Sequence, residues 1–97
     1  GDEVSISISP SVLSLKSKVT DLTVHSNIPY ASVVTSTVAL DGMEADMVKA
    51  DDLGALVARF DITELKKTLS RGTVTMTLTV ETIDGDIISA SDTISVR

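Results

Sequence analysis

The chain has 97 residues, 42% of them apolar, and a formal net charge of −6 at pH 7. This length predicts a single domain over residues 1–97, and the apolar content excludes a disordered chain. The few basic residues are scattered and there is no cysteine, so no nucleic-acid partner is expected, and disulfides and Cys-based metal sites are excluded.

The N-terminal segment predicts an edge strand that changes sheets. Over residues 4–9 Val and Ile alternate with Ser, the period of a half-buried strand. Pro10 ends this strand because proline has no N–H to donate to a ladder. The apolar pattern then resumes at Leu13 and Leu15, as expected if the chain continues in a second sheet.

The middle of the chain predicts further short strands. They are expected at about 19–26, at 35–40 with Val38 and Leu40 facing the core, and at 56–60. Residues 44–50 are ambiguous and are compatible with one more short strand.

One helix is predicted at about 62–70. Asp61 is a suitable N-cap, and Glu64 three residues later completes a capping-box pattern. Phe60 and Leu65 have the spacing of a hydrophobic staple around that cap. We therefore expect Asp61→Ala to destabilise the helix.

The clearest pattern lies in residues 73–96, which predict a hairpin. Apolar residues alternate with Thr over 73–80 and largely with Ser and Thr over 88–96. A two-residue turn at Asp84-Gly85 would place apolar residues beside serines. A three-residue loop, residues 83–85, instead keeps the two faces separate, because a one-residue slip moves every side chain to the other face.

A loop with an odd number of residues fixes the register of the hairpin. It pairs Val80 with Ile88, and it puts Gly85 in the left-handed position of a bulged loop. It also places Asp92 opposite Met76 on the apolar face, where we expect its carboxylate to lie near the rim or to bind backbone N–H groups. The other face then carries the hydroxyl residues Thr73, Thr75, Thr77, Thr79, Ser89, Ser91, Thr93 and Ser95.

Taken together, about seven short strands separated by regular turn signals predict an all-β fold. The expected architecture is an immunoglobulin-like, two-sheet antiparallel β-sandwich with one short helix. The Cys and Trp signature of antibody domains is absent from the sequence.

Several short motifs follow one another along the chain, at residues 15–18, 36–42, 57–61 with 64–65, 72–85 and 92–94. Their order resembles a β-rich module of secreted bacterial and archaeal multidomain proteins, often found beside dockerin-type or surface-anchoring domains. The resemblance covers roughly residues 13–96, and it implies an extracellular or cell-surface location and a non-catalytic role. The chain departs from the module at residues 44–52, where glycines of a calcium-like run are missing.

Acidic residues are densest between positions 41 and 52. Calcium takes six to eight oxygen ligands, and these carboxylates could supply some of them. The spacing of an EF-hand loop is absent, so a solvated acidic loop is the alternative. The candidate Ca²⁺ ligands are Asp41, Glu44, Asp46, Asp51 and Asp52.

No catalytic site is expected. His25, the one histidine, falls on the outward-facing parity of its strand, and no Gly-x-Ser-x-Gly motif is present. A glycosidase would need a cleft with aromatic walls, but Tyr30 and Phe60 are the only aromatic residues.

The expected function is a structural or interaction module whose partners are neighbouring domains or another protein. A calcium-dependent adhesion or binding domain using residues 41–52 is the alternative. The hydroxyl face is read either as an ordinary solvent-facing sheet or as a flat, uncharged docking surface, since lysines that would protect an exposed strand are absent from it. No apolar run reaches the length of about 20 residues that membrane insertion needs.

Overall fold

The computed structural model describes residues 3–97, and most of its regular structure is β-strand. The alternation of apolar and polar residues that predicted strands is clearest in the strands Asp21–Pro29 and Gly72–Glu81. In chain order the elements are β1 (Ile6–Ser9), β2 (Val12–Leu13), β3 (Asp21–Pro29), β4 (Ala39–Leu40), β5 (Met43–Glu44), β6 (Met47–Ala50), β7 (Ala55–Asp61), α1 (Thr63–Lys66), β8 (Gly72–Glu81) and β9 (Ile87–Val96), with 3₁₀ turns at Tyr30–Ser32 and Thr35–Thr37.

The strands form two sheets packed face to face. Sheet A has the order β1-β3-β7-β6 and sheet B the order β2-β9-β8-β4-β5. The core lies between them, and the predicted all-β sandwich is confirmed. Its largest fully buried side chains are Phe60, Leu13, Leu22, Leu40, Leu56, Ile62, Met76, Leu78 and Ile94.

The N-terminal strand changes sheets at Pro10, as predicted. Before it, β1 pairs antiparallel with β3 in sheet A. After it, β2 pairs with the end of β9 in sheet B, and this pair is parallel. The other strand pairs of the described chain are antiparallel, so the expectation of a wholly antiparallel sandwich holds except at this edge.

The predicted strand at 35–40 is wrong in its first half. Residues Thr35–Thr37 form a 3₁₀ turn, and only Ala39–Leu40 are extended. The Thr37 hydroxyl donates to the Val34 carbonyl at 2.6 Å, and this local bond competes with a ladder. Val38 and Leu40 are nevertheless buried as predicted.

The chain crosses from one sheet to the other within residues 44–50, the segment that the sequence left ambiguous. β5 belongs to sheet B, whereas β6 belongs to sheet A. The Asp46 N–H bonds to the Arg59 carbonyl at 2.8 Å and so starts the new pairing.

The helix is present but shorter than predicted. It covers Thr63–Lys66, although Leu69 N–H still bonds to the Leu65 carbonyl at 3.0 Å. The Thr68 hydroxyl also donates to that carbonyl, which favours a turn over further helix. Ile62 is fully buried, and Leu65 and Leu69 pack against the core.

The predicted capping box does not form. Ile62 occupies the N-cap position, and Asp61 lies one residue earlier. The Asp61 carboxylate still accepts from the Thr63 N–H at 2.8 Å. The return bond from Glu64 is missing, because the Asp61 N–H donates to the Asp46 carboxylate instead.

The predicted register of the last hairpin is confirmed. Val80 pairs with Ile88 and Met76 with Asp92. Gly85 has a φ of 90°, the left-handed conformation that the three-residue loop requires. The loop closes with a 2.8 Å bond from the Thr82 N–H to the Asp86 carbonyl.

Candidate docking surface

The outer face of sheet B is a band of hydroxyl side chains, which we call the hydroxyl face. Its residues are odd-numbered residues of β8 and β9, whose side chains point away from the core, and each is exposed or half-buried. Four cross-strand pairs make it up: Thr73–Ser95, Thr75–Thr93, Thr77–Ser91 and Thr79–Ser89.

The ladder geometry brings these hydroxyls together. The bond from Thr82 to Asp86 makes the even-numbered residues of β9 the hydrogen-bonded partners of β8. The hydroxyl pairs are therefore the non-hydrogen-bonded ones, in which side chains approach most closely. Thr77 Oγ1 and Ser91 Oγ lie 2.7 Å apart. The four pairs form a patch of hydroxyl donors and acceptors that contains no charge, and Glu81 and Glu44 lie on the same face outside the patch.

Apolar side chains border the hydroxyl face at both ends of β9. Val12, beside Ser95, is 44% exposed, and Ile87, beside Glu81, is 65% exposed. Across β8, Ala39 continues the face next to Thr79. The hydroxyls therefore occupy the middle of the face, and its border carries these apolar side chains together with Glu81 and Glu44.

Two side chains complete the β8 edge beside this face. Asp41, at a φ of 48°, turns its carboxylate onto the Thr77 N–H at 2.9 Å. The Thr37 hydroxyl accepts from the Glu81 N–H, also at 2.9 Å. Both bonds substitute for ladder bonds that short β4 does not supply. Sequence reasoning did not identify them, because they join residues far apart in the chain.

The five candidate calcium ligands are distributed over separate elements. Asp41 holds the β8 edge, Glu44 lies on β5, and Asp46 binds the Asp61 N–H. Asp51 and Asp52 lie in the loop between β6 and β7. Within residues 3–97 no three His, Asp or Glu side chains are grouped so that they could hold a metal ion. Calcium binding stays a prediction, which calorimetry with and without Ca²⁺ tests.

The Asp51 carboxylate organises its own loop. It accepts from the Leu53 N–H at 2.8 Å and from the Ala55 N–H at 2.9 Å. The Ala55 bond first and the Leu53 bond second lower the pKa of Asp51 below its ordinary 3.8. The pKa of Asp61 is lowered as well, chiefly by the Thr63 hydroxyl and then by the Thr63 N–H.

These lowered pKa values predict a loss of stability in acid. Because the folded pKa lies below the unfolded one, the unfolded state binds protons first as the pH falls below about 4. The contribution of Asp51 is therefore present above that pH and is lost as the pH falls through the folded pKa. Urea unfolding between about pH 5 and pH 2 should show a shallower decline for Asp51→Asn, which cannot titrate, than for the wild type. Equal slopes would contradict the assignment.

The outer face of sheet A carries a depression that sequence reasoning missed. Its floor is Val57, which is only 2% exposed although it points away from the core. His25 and Lys49 flank Val57 on the neighbouring strands, and Arg59 lies beside them. The depression has a volume of about 400 Å³. His25 itself is exposed, as its strand parity predicted.

Comparison with protein-family models gives no match, and no curated protein is significantly similar in sequence. Among the residues that the structure describes, no helix is both long enough and apolar enough to cross a membrane. The assignment of function therefore depends on the surface chemistry.

Proposed function

We propose that this chain is a non-catalytic structural or interaction module of a secreted or cell-surface protein, and that the hydroxyl face is its docking surface. The observation that carries the proposal is the pairing of eight hydroxyl residues on one exposed sheet face, with no charged side chain among them. Exposed strands usually carry lysine or other charges that prevent association, and the four hydroxyl pairs carry none, the nearest acidic residues of the face being Glu81 and Glu44 at its border.

The strand order supports an immunoglobulin-like classification of the sandwich. The order β1-β3-β7-β6 corresponds to strands A-B-E-D of that fold, and β9-β8-β4 corresponds to G-F-C. Modules of this architecture are common in cell-surface proteins. A fold does not by itself assign a function, so the docking proposal rests on the hydroxyl face.

The chemistry of the face indicates what it binds. Each hydroxyl both donates and accepts, so the matching surface is flat, uncharged and rich in amide or hydroxyl groups. Val12 and Ile87 add apolar contacts at its margins. A protein surface of this kind, in a neighbouring domain or in a separate chain, fits better than a small molecule, because ligand pockets are concave.

Charges placed on this face should prevent docking without unfolding the domain. We expect the double variant Thr75→Lys/Thr93→Lys to weaken binding of the purified partner at least about tenfold, because the cross-strand pair would bury two like charges in the interface. Titration calorimetry measures the affinity, and thermal unfolding checks the fold.

A control places one lysine on the outer face of the other sheet. Ser7 is an exposed strand residue of sheet A, opposite His25. Ser7→Lys should leave the affinity unchanged. Equal affinities for the double variant and the wild type would refute docking through the hydroxyl face.

A further inference from the structure

One edge of sheet B has no neighbouring strand over most of its length. β9 pairs with β8 from Ile87 to Val96, but on its other side β2 covers only Ser95 and Val96. Within residues 3–97, the stretch 87–93 therefore ends the sheet without a partner strand.

The hydrogen bonds around β9 show which backbone groups face this edge. The Ser95 N–H bonds to the Ser11 carbonyl and the Arg97 N–H to the Leu13 carbonyl, both at 2.8 Å. Odd-numbered residues therefore direct their N–H and C=O away from β8. The outward-facing residues of the free stretch are Ile87, Ser89, Ser91 and Thr93.

Side chains protect two other edges of the sandwich, those of β1 and β6, and residues 87–93 of β9 lack such protection. On β1 the Ile8 N–H is taken by the Asp92 carboxylate at 2.9 Å. On β6 an exposed lysine, Lys49, lies on the edge strand. Along residues 87–93 there is no lysine, arginine or proline, and the one charge, Asp92, is directed towards Ile8 of the other sheet. Such an edge is a template for an added strand.

We propose that this edge pairs with the same edge of a second copy of the chain, antiparallel and centred on Ala90. In that arrangement residues of the same type face each other at the centre: Ser89 lies opposite the partner's Ser91, and Ala90 lies opposite the partner's Ala90. Ile87 then lies opposite the partner's Thr93, so the outward-facing residues of both copies exchange backbone hydrogen bonds.

The length of the edge also suits a second copy. The hairpin loop bounds it on one side and β2 on the other, so each copy offers residues 87–93 and no more. The pairing would join two five-stranded sheets into one. It uses backbone groups of the edge and does not require that the hydroxyl face dock anything, so it goes beyond the function proposed above.

Charge gives the association a characteristic salt dependence. Each copy carries a formal charge of −6, so repulsion opposes pairing and salt screens it. We expect the dissociation constant of the dimer to fall at least about threefold between 20 and 300 mM NaCl.

Sedimentation equilibrium of the purified chain from about 10 µM to 1 mM tests the proposal, with a concentration-dependent dimer as the expected result. Ser91→Pro removes one outward N–H at a position where proline is tolerated, and should weaken the dimer at least about tenfold. Ser91→Ala is the matched control: it keeps the N–H, removes only the hydroxyl, and should dimerise like the wild type.

A second variant, Ser89→Glu, tests the contact independently in case Ser91→Pro does not fold. Ser89→Glu places a charge at the centre of the proposed contact and should also weaken the dimer, whereas Thr75→Lys, on β8 away from the edge, should not. A chain that stays monomeric at 1 mM overturns the proposal, as does a dimer that folded Ser91→Pro and Ser89→Glu leave intact. If the monomeric chain instead binds a peptide with the sequence of residues 87–93, the edge accepts a foreign strand.

Discussion

Replacing Phe60 by alanine should remove about 3–5 kcal/mol from the free energy of unfolding, the largest effect that we expect from one substitution. Phe60 is fully buried, and it lies on β7 opposite Leu22, also fully buried. The cost combines the lost burial of the ring with the cavity that a packed sandwich cannot close.

Urea unfolding of wild type and Phe60→Ala measures this loss directly. Leu53→Ala is the matched control, because Leu53 is 94% exposed and its truncation should change the free energy by less than about 0.5 kcal/mol. If Phe60→Ala cost no more than the control, Phe60 would not be at the centre of the core.

Removing the Asp92 carboxylate should have the second-largest effect, about 1–3 kcal/mol for Asp92→Ala. Asp92 Oδ2 accepts from the N–H of Ile8, a residue that is only 2% exposed. Without that acceptor, a donor at the margin of the core loses its partner, and the link between the β1 edge of sheet A and β9 of sheet B is broken.

Two variants separate the hydrogen bond from the charge. Asp92→Asn keeps an oxygen that can accept from Ile8 and should retain most of the stability. Asp86→Ala removes a carboxylate at an exposed position of the same hairpin and should cost little. A loss for Asp86→Ala as large as that for Asp92→Ala would assign the effect to charge and not to the Ile8 bond.

The hairpin was predictable because its pattern is local, and because the choice between an odd and an even number of loop residues decides which side chains share a face. Apolar and hydroxyl residues alternate over both strands, so only a loop with an odd number of residues keeps them on separate faces. The role of Asp92 followed from the same register, since a carboxylate on the apolar face requires donors. Pro10 predicted the change of sheet for an equally local reason.

Other features were not predictable because they depend on contacts between distant segments. The capping-box pattern at Asp61 and Glu64 was present, but Asp46 takes the N–H that Glu64 would have bonded. Asp41 counted as a candidate metal ligand, yet its carboxylate holds the Thr77 N–H thirty-six positions away. The burial of Val57 on an outer face depends likewise on its neighbours in β3 and β6.

The proposed docking surface exists only if β8 and β9 pair in the register that gathers the hydroxyls on one face. Nuclear Overhauser contacts between Hα atoms measure that register, because they are strongest across non-hydrogen-bonded antiparallel pairs. We expect them between Thr79 and Ser89 and between Thr77 and Ser91. Contacts between Val80 and Ser89 instead would mean a slip of one residue, with apolar and hydroxyl side chains mixed on both faces and no hydroxyl face to dock a partner.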